Sequence, residues 1–365
     1  MSRLTDLRRR REQALAGGGR ARVEAQHARG QLTARERLSI LLDEGSFQEL
    51  GALATHQQTD FGMADKRFPG DGVITGFGKV NGRRVAVYAQ DFTVLGGSFS
   101  EVQSHKISRI QEMSLEAGIP IIGLNDSGGA RVQEGIKSLA AYGEVFYRNV
   151  RASGVVPQLS LIMGPCAGGA VYSPALTDFV IMVSQTSNMF LTGPEIIKAV
   201  TGEDVTTEDL GGAWVHNARS GVAHFEVGSD VEALALAKLL LSYLPQNNTE
   251  DAPQLAPYDD PSRLDEELNT IVPEDDNLPY DMRRLLELVF DRDSLLEVAE
   301  QFAPNAITTF ARLDGYAVGV VANQPAHLSG ALDIDSSDKI ARFVRTCDAY
   351  NIPVITFVDC PGYLP

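Results

Sequence analysis

An ungapped internal repeat constrains the fold of this chain more than any other feature of its sequence. The segment that starts at Phe77 lies over the segment that starts at Phe310. Self-similarity of this kind indicates one supersecondary unit that is used twice, so both copies should fold alike. The identical pairs include Gly82 and Gly315, Gly97 and Gly330, Lys106 and Lys339, Arg109 and Arg342, Pro120 and Pro353, Asp126 and Asp359, and Gly129 and Gly362.

Each copy has the pattern of two strands, a helix and a third strand. The first two strands meet at "NG" or "DG", which favours a tight hairpin turn. A loop through Gly97 or Gly330 then leads to a helix with Ser or Asp near its start, followed by "IPIIGLND" or "IPVITFVD". Such unalternating apolar runs are typical of strands buried on both faces. The order strand, helix, strand implies a right-handed crossover and therefore a layered α/β sheet.

The repeat also divides the chain into domains. Residues 246–281 separate the two copies, and their five prolines, many acids and weak apolar periodicity predict a linker. We therefore expect an N-terminal helical region at 1–69, a first α/β domain at 70–245 and part of a second domain at 282–365.

The second copy stops at Pro365, which pairs with Val132 of the first copy. If it completes itself as the first copy does, it needs on the order of 110 further residues, among them a second glycine-rich turn. The sequence thus predicts a C-terminally incomplete chain. The alternative is a second domain that is a degenerate half repeat.

Charge and cysteine usage narrow the class of protein. The formal net charge of -16 argues against a nucleic-acid surface, although residues 1–37 carry ten arginines against four acids. That basic segment lacks a continuous apolar stretch, so it is interpreted as helix rather than as a targeting peptide. No apolar run approaches the length that a membrane-spanning helix needs. Three cysteines without CxxC spacing indicate neither a disulfide framework nor a zinc ribbon, which favours a cytoplasmic protein.

Two glycine-rich turns each follow an apolar strand of the first domain: "NDSGGAR" at 125–131 and "GPCAGGA" at 164–170. Glycine permits positive φ and lets a ligand approach the main chain closely. Two such turns at neighbouring strand ends could aim two N–H groups at one oxygen, as an oxyanion hole does. Each turn taken alone also fits an ordinary tight turn between a strand and a helix. Neither turn has the spacing of a phosphate-binding fingerprint.

Single residues near these turns, and their repeat counterparts, are interpreted as structural rather than catalytic. Cys166 lacks a patterned His partner, so it is predicted to be a small buried turn residue rather than a nucleophile. His105 is predicted to be a surface or satisfied histidine. Asp126 and Asp359 occupy equivalent strand ends, so the repeat predicts one structural role used twice, the capping of the following turn.

A series of motifs runs in order along essentially the whole chain: "LTARERLSILLDEGSF", "DGVITGFGKVNGR", "DFTVLGGSFSEVQSHKI", "LNDSGGARVQEG", "GPCAGGAVYSPALTDF", "LTGPEIIKAVTGEDVTTEDLGGAWVHN", "VPEDDNLPYDMR", "FARLDGYAVGVVANQP" and "FVDCPGYLP". Together these motifs resemble those of the β subunits of biotin-dependent acyl-CoA carboxylases, which are ligases, and most closely the propionyl-CoA carboxylase type.

This resemblance implies tandem crotonase-like domains, the second one truncated here. It also implies a hexamer that works beside a biotin-carrying α subunit of an ATP-dependent holoenzyme, with no metal in this chain. The reaction would move a carboxyl group from N1-carboxybiotin to the α-carbon of a short-chain acyl-CoA. Within the same class, a methylmalonyl-CoA decarboxylase subunit shares most of these motifs. A non-catalytic acyl-CoA-binding or assembly module is the alternative from another class.

The resemblance also assigns roles to residues. The enolate oxygen of the thioester would accept from backbone N–H groups of four catalytic residues: Gly168, Gly169, Gly129 and Ala130. Residues on the acyl-CoA or biotin side would be Gly128, Ala167, Gly97, Asn323 and Gly362. Trp214 and His216 would lie close to the first-domain site, and residues 291–324 would belong to a segment associated with acyl-CoA.

Overall fold

A computed structural model describes residues 2–256, 259–260, 262–275 and 278–365. The helices are α1 Arg3–Leu15, α2 Arg20–His27, α3 Ala34–Leu41, α4 Glu101–Ala117, α5 Ile136–Ala152, α6 Tyr172–Ala175, α7 Pro194–Thr201, α8 Thr207–Gly211, α9 Asp230–Tyr243, α10 Met282–Val289 and α11 Ile334–Ala349. The strands are β1 Gln48–Leu50, β2 Val73–Val80, β3 Arg83–Gln90, β4 Ile121–Ser127, β5 Gln158–Ala167, β6 Phe179–Val183, β7 Asn188–Phe190, β8 Phe225–Val227, β9 Leu296–Glu297, β10 Ala306–Leu313, β11 Tyr316–Asn323 and β12 Val354–Phe357.

The chain forms two compact units. The first contains residues up to 215 together with 226–238, and the second contains 216–225 with 239–365. The predicted linker at 246–281 includes positions 257, 258, 261, 276 and 277, which lie outside the described residues. Among the described residues, no helix is both long enough and apolar enough to cross a membrane.

The first unit is built on one sheet. Over the described residues its strand order is β1-β2-β3-β4-β5-β6-β8, and β7 pairs with β5. The strands from β1 to β3 are antiparallel neighbours, whereas β3, β4, β5 and β6 run parallel. Every residue of β4 is buried, as are the first seven of β5. The middle of this sheet is therefore the core of the unit, as the unalternating apolar runs predict.

The second unit repeats the first half of this architecture. Strands β10 and β11 begin and end at the positions that the repeat pairs with the bounds of β2 and β3. Each pair of strands is closed by a turn whose two central residues have positive φ. Ser100 caps α4, and Asp333, at the equivalent position, caps α11. The predicted unit of two strands, a helix and a third strand is thus confirmed in both copies.

Equivalent lysines make equivalent hydrogen bonds in the two copies. The Lys106 ammonium donates to the carbonyl oxygens of Gly70, at 2.9 Å, and of Val73. The Lys339 ammonium donates to the carbonyl oxygens of Ala303, at 3.4 Å, and Ala306, at 2.7 Å, which are the counterparts of those two residues in the second copy. Burial lowers the pKa of each lysine to about 8, because the charged form loses its hydration.

Because the pKa values of Lys106 and Lys339 are lowered, we expect the protein to become more stable at alkaline pH. Between pH 8 and 10.5 the unfolded chain binds more protons than the folded chain, so the free energy of unfolding should increase with pH over that window. Exchanging both lysines for methionine should remove this increase. Denaturant titrations at pH 8 and 9.5 would measure it, with exposed Lys137→Met as the control. An unchanged pH slope in the double variant would contradict the prediction.

The repeat extends upstream of the ungapped match. Asp43 accepts hydrogen bonds from the N–H groups of Asn81 and Gly82, and Asp291 accepts them from Asp314 and Gly315. The segment that includes α10 and β9 therefore matches the one that includes α3 and β1, in a register that differs from that of the ungapped match. Further equivalent contacts are the ion pairs Arg35–Glu49 and Arg283–Glu297.

One expectation about the second copy is wrong in this structure. The apolar run "IPVITFVD" is predicted to be a strand buried on both faces, but all four residues of β12 are exposed or only half-buried. The reason is its position, because β12 is an edge strand of the four-stranded sheet β12-β11-β10-β9. In the first copy the equivalent strand, β4, is covered on that side by β5.

Candidate active site

The two glycine-rich turns lie side by side at the ends of β4 and β5. These strands run parallel, so their carboxyl ends reach the same edge of the sheet. Ser127 pairs with Cys166 at that edge. A methyl group added at Gly129 would lie 2.8 Å from the carbonyl oxygen of Ala167. The backbones of the two turns are therefore in direct contact, as the sequence predicts for neighbouring strand ends.

The loop after β3 holds the first turn in place through backbone hydrogen bonds. The Phe99 N–H donates to the Gly129 carbonyl at 2.8 Å, and the Arg131 N–H donates to the Phe99 carbonyl at 2.8 Å. The Arg131 side chain is buried and forms an ion pair with Asp71 at 2.8 Å. Gly129 has φ +96°, a conformation that favours glycine. Ala130, the next residue, forms a parallel β-bridge with Phe99.

The second turn leaves β5 through Gly168, which has φ +60°. Gly168–Val171 form a single 3₁₀ turn that continues into α6. Among the described residues beyond its chain neighbours, only the Leu191 carbonyl oxygen, at 3.9 Å, would lie within 4 Å of a methyl group added at Gly168. A methyl group at Gly169 would instead lie 2.9 Å from the Tyr142 ring. Gly168 thus faces open space, whereas Gly169 packs against the Tyr142 ring, which we call the aromatic floor.

An aromatic stack supports this floor. The Tyr142 ring stacks on Phe99 at 3.9 Å between centroids and on Phe146 at 5.7 Å. Because Phe99 also holds the first turn, the stack connects both turns. The sequence does not predict this connection, since no local pattern links residues 99, 142 and 169.

The predicted ligand residues have different surroundings. Gly97 packs closely on the backbone of β4, since a methyl group added there would lie 2.1 Å from the Asp126 carbonyl oxygen. The Gly128 N–H donates to the Gly96 carbonyl. Asn323 braces its own loop, donating to the Gly330 carbonyl at 2.9 Å and accepting from the Asp359 N–H at 3.2 Å. Gly362, the counterpart of Gly129, accepts from the Leu332 N–H. Ligand contacts of these residues stay predictions.

The interpretation of Cys166 as a small buried residue is confirmed. Its side chain is fully buried, and burial raises the pKa of the thiol well above its usual range. It lies on β5 rather than in the turn itself. A buried, protonated thiol is not a nucleophile. His105 is exposed on α4, as predicted.

The expected capping role of Asp126 and Asp359 is wrong. The Asp126 carboxylate forms a buried ion pair with Arg37 at 2.8 Å, whereas Asp359 accepts from the Tyr280 hydroxyl at 2.7 Å. What the copies share is the backbone: Gly97 and Gly330 approach the carbonyl oxygens of the two aspartates. The repeat therefore preserves the turn geometry and not the use of the carboxylate.

The segment "GGAWVHN" reaches the site edge through its backbone. Gly212 forms a bridge with Asn188 of β7, and β7 pairs with β5 at Pro165. The Trp214 side chain is half-exposed. Contact of Trp214 or His216 with a substrate stays a prediction. Within the described residues, no group of three or more His, Cys, Asp or Glu side chains is placed to hold a metal ion.

Comparison with known proteins identifies the class to which this fold belongs. The structure superimposes with a TM-score of 0.97, at 52% identity, on a crystal structure of transcarboxylase 12S described as a hexamer assembly with methylmalonyl-coenzyme A and methylmalonic acid bound. The match covers all of this chain and 70% of that one. The protein thus has the crotonase-like fold of carboxyltransferases.

Sequence relatives define the family. Residues 25–365 match the model of the carboxyl transferase domain. The propionyl-CoA carboxylase beta chain of Roseobacter denitrificans is 57% identical over 99% of this chain and 71% of its own length. The methylmalonyl-CoA decarboxylase subunit alpha of Veillonella parvula is 55% identical over 96% of this chain and 69% of its own length. The chain belongs to the carboxyl transferase domain family.

Proposed function

We propose that this chain is the carboxyltransferase subunit of a biotin-dependent acyl-CoA carboxylase and that its preferred substrate is propionyl-CoA, which becomes methylmalonyl-CoA. The observation that carries the proposal is the direct backbone contact between the two glycine-rich turns at the ends of β4 and β5. The identity to a propionyl-CoA carboxylase beta chain supports the choice of acyl group.

The chain's own contribution is to stabilise negative charge. Removing a proton next to a thioester carbonyl places charge on the carbonyl oxygen. Backbone N–H groups of Gly168 and Gly169 would donate to that oxygen, with Gly129 and Ala130 forming the opposite wall. A preorganised donor of this kind is typically worth about 2.7 to 4 kcal/mol.

The shape of the second turn fits a bound thioester. Gly168 is half-exposed, and the space that a side chain would occupy there is open. The aromatic floor under Gly169 limits how far that turn can move. When bound, N1-carboxybiotin supplies the carboxyl group and, after its loss, a base for the α-proton. Gly97, Gly128, Ala167, Asn323 and Gly362 are proposed to line the acyl-CoA or biotin side.

The surface around the turns supports a partner at the site. Apolar side chains that follow the first turn are strongly exposed, Val132 at 79% and Ile136 at 76%. Exposed apolar groups in one area indicate a contact surface. We assign this surface to further copies of the chain in a hexamer and to a biotin-carrying α subunit. The unpatterned cysteines support a reducing, cytoplasmic location.

A second candidate is the carboxyltransferase subunit of a methylmalonyl-CoA decarboxylase. The 55% identity to such a subunit favours it nearly as strongly. Both candidates use the same turns, since removing or adding the carboxyl group passes through the same thioester enolate.

The direct experiment is a carboxyl transfer assay. The chain, combined with a biotinylated carrier and biotin carboxylase, is expected to convert propionyl-CoA and labelled bicarbonate into labelled methylmalonyl-CoA when ATP is present. Transfer from methylmalonyl-CoA to free biotin, without net carboxylation of propionyl-CoA, would favour the decarboxylase. Acyl-CoA binding with no transfer in either direction would contradict both candidates and indicate a binding module.

A further inference from the structure

A fully buried arginine lies behind the two glycine-rich turns. Arg37 belongs to α3, and its guanidinium donates in three directions. Nη1 donates to Asp126 Oδ2 at 2.8 Å, Nη2 to the Met163 carbonyl at 2.7 Å, and Nε to Asp230 Oδ2 at 2.8 Å. One planar group therefore connects the end of β4, the second half of β5 and the first residue of α9.

This contact lies where β4 and β5 lose their register. Asn125 pairs with Ile162, but Ser127, two residues later, pairs with Cys166, four residues later. The extra residues of β5 lie opposite Asp126, and the Met163 carbonyl there accepts from Arg37 and from Gln31, at 3.0 Å. The guanidinium thus bonds to the backbone of the irregularity from which both turns begin.

The space for this ion pair depends on a glycine. A methyl group added at Gly164 would lie 2.1 Å from Asp126 Oδ1. Asp126 and Asp230 share the single guanidinium, so one positive charge faces two carboxylates inside the protein. Burial raises the pKa of Asp126 to about 6, against the opposing effect of Arg37. Such a network costs desolvation energy and is weak evidence of stabilisation alone.

We infer that Arg37 is a positioning residue for carboxyl transfer, because it fixes the spacing of β4 and β5 at the irregularity that precedes the two oxyanion-binding turns. This inference rests on the proposed function. Asp126 precedes Gly129 by three residues, and Met163 precedes Gly168 by five. A displacement of either strand end therefore moves the N–H groups directly.

The chemistry of the side chain explains why arginine is needed. Its rigid fork reaches three acceptors at fixed angles, whereas a lysine ammonium is a point charge on a flexible stem. Arg37→Lys keeps the charge and loses the fixed geometry. Misplacement of reacting groups by about 1 Å costs on the order of 10²-fold in rate. The loss should fall on kcat, since most acyl-CoA contacts would not depend on the turn spacing.

The test measures kcat and KM for propionyl-CoA with the reconstituted holoenzyme. Arg37→Lys is expected to lower kcat by about 10²-fold, with KM little changed. Asp230→Asn leaves the contacts of Arg37 with Asp126 and Met163 in place, so it should lower kcat less than Arg37→Lys does. It replaces Arg37→Lys as the test variant if that variant folds poorly. Arg263→Lys is the matched control. Arg263 is half-buried in the second unit, donates to the carbonyls of Leu288 and Phe290 at 2.9 Å each, and pairs with Asp259 at 3.1 Å.

A double variant separates positioning from general destabilisation. If Arg37 acts through the turn at Gly168, adding Gly168→Ala to Arg37→Lys should cost much less than the product of the single effects. Multiplicative losses, an unchanged kcat, or an equal kcat loss in Arg263→Lys would overturn the inference while the wild type remains active. A wild type that transfers no carboxyl group would overturn the proposed function, and the inference with it.

Discussion

Replacing Gly168 by alanine is expected to reduce carboxyl transfer by about 10²- to 10³-fold while acyl-CoA binding persists. Gly168 has φ +60°, and the left-handed conformation costs a non-glycine residue roughly 1–2 kcal/mol. The added methyl group meets no obstacle, so the chain can fold and relieve the strain by rotating the peptide. That rotation redirects the N–H groups on which the oxyanion hole depends. Steady-state kinetics and equilibrium binding of propionyl-CoA would measure the two effects separately.

Gly82→Ala is the matched control for this variant. Gly82 has φ +80°, and apart from its chain neighbours no heavy atom of the described residues lies within 4 Å of an added methyl group. It lies in the turn between β2 and β3, so the same kind of strain should lower stability and leave kcat unchanged. Equal losses of kcat in the two variants would show that strain in general, and not the N–H direction at Gly168, determines activity.

Replacing Gly97 by alanine is expected to prevent the first unit from folding, or to lower its free energy of unfolding by more than about 4 kcal/mol. The added methyl group would lie 2.1 Å from the Asp126 carbonyl oxygen, and Gly97 has φ +61°. Both obstacles belong to the backbone, so no side-chain rotation relieves them. Denaturant titration of the purified variant, or its recovery in the insoluble fraction, would measure the effect.

Two further glycine variants separate the effect of the clash in Gly97→Ala from the effect of backbone strain. Gly330→Ala repeats the substitution in the second copy, where the distance to the Asp359 carbonyl oxygen is 2.5 Å, and it should be destabilising but less so. Gly30→Ala tests strain without a clash, since Gly30 has φ +76° and an open surrounding. If Gly97→Ala costs no more than Gly30→Ala, the close approach to β4 is not needed for folding.

The sequence predicted the repeated elements well because their signals are local. Hairpins at Asn81–Gly82 and Asp314–Gly315 require positive φ, which those residues adopt readily. The helix caps Ser100 and Asp333 hold the same position in both copies. The positions of the two turns were also predictable, because glycine runs directly after apolar strands mark turns at the strand ends.

Long-range contacts were not predictable in the same way. The match between α3 and α10 was missed because the connection from β1 to β2 is longer than the one from β9 to β10, and an ungapped comparison does not detect a match across such a difference. The carboxylate of Asp126 was assigned to a turn, since local capping is the usual role of aspartate at a strand end. Its actual partner, Arg37, lies far away in sequence, on a helix that precedes the whole sheet. No local pattern predicts such a pair.

The most direct test of the proposed oxyanion hole is spectroscopic. Propionyl-CoA labelled with ¹³C at the thioester carbonyl should show a lowered C=O stretching frequency when bound to the protein, because N–H groups of the two glycine-rich turns donate to its oxygen. The shift should largely disappear in Gly168→Ala and persist in Gly82→Ala. A bound carbonyl with the frequency of free propionyl-CoA, or a shift that Gly168→Ala leaves intact, would contradict the assignment of these turns as the oxyanion hole.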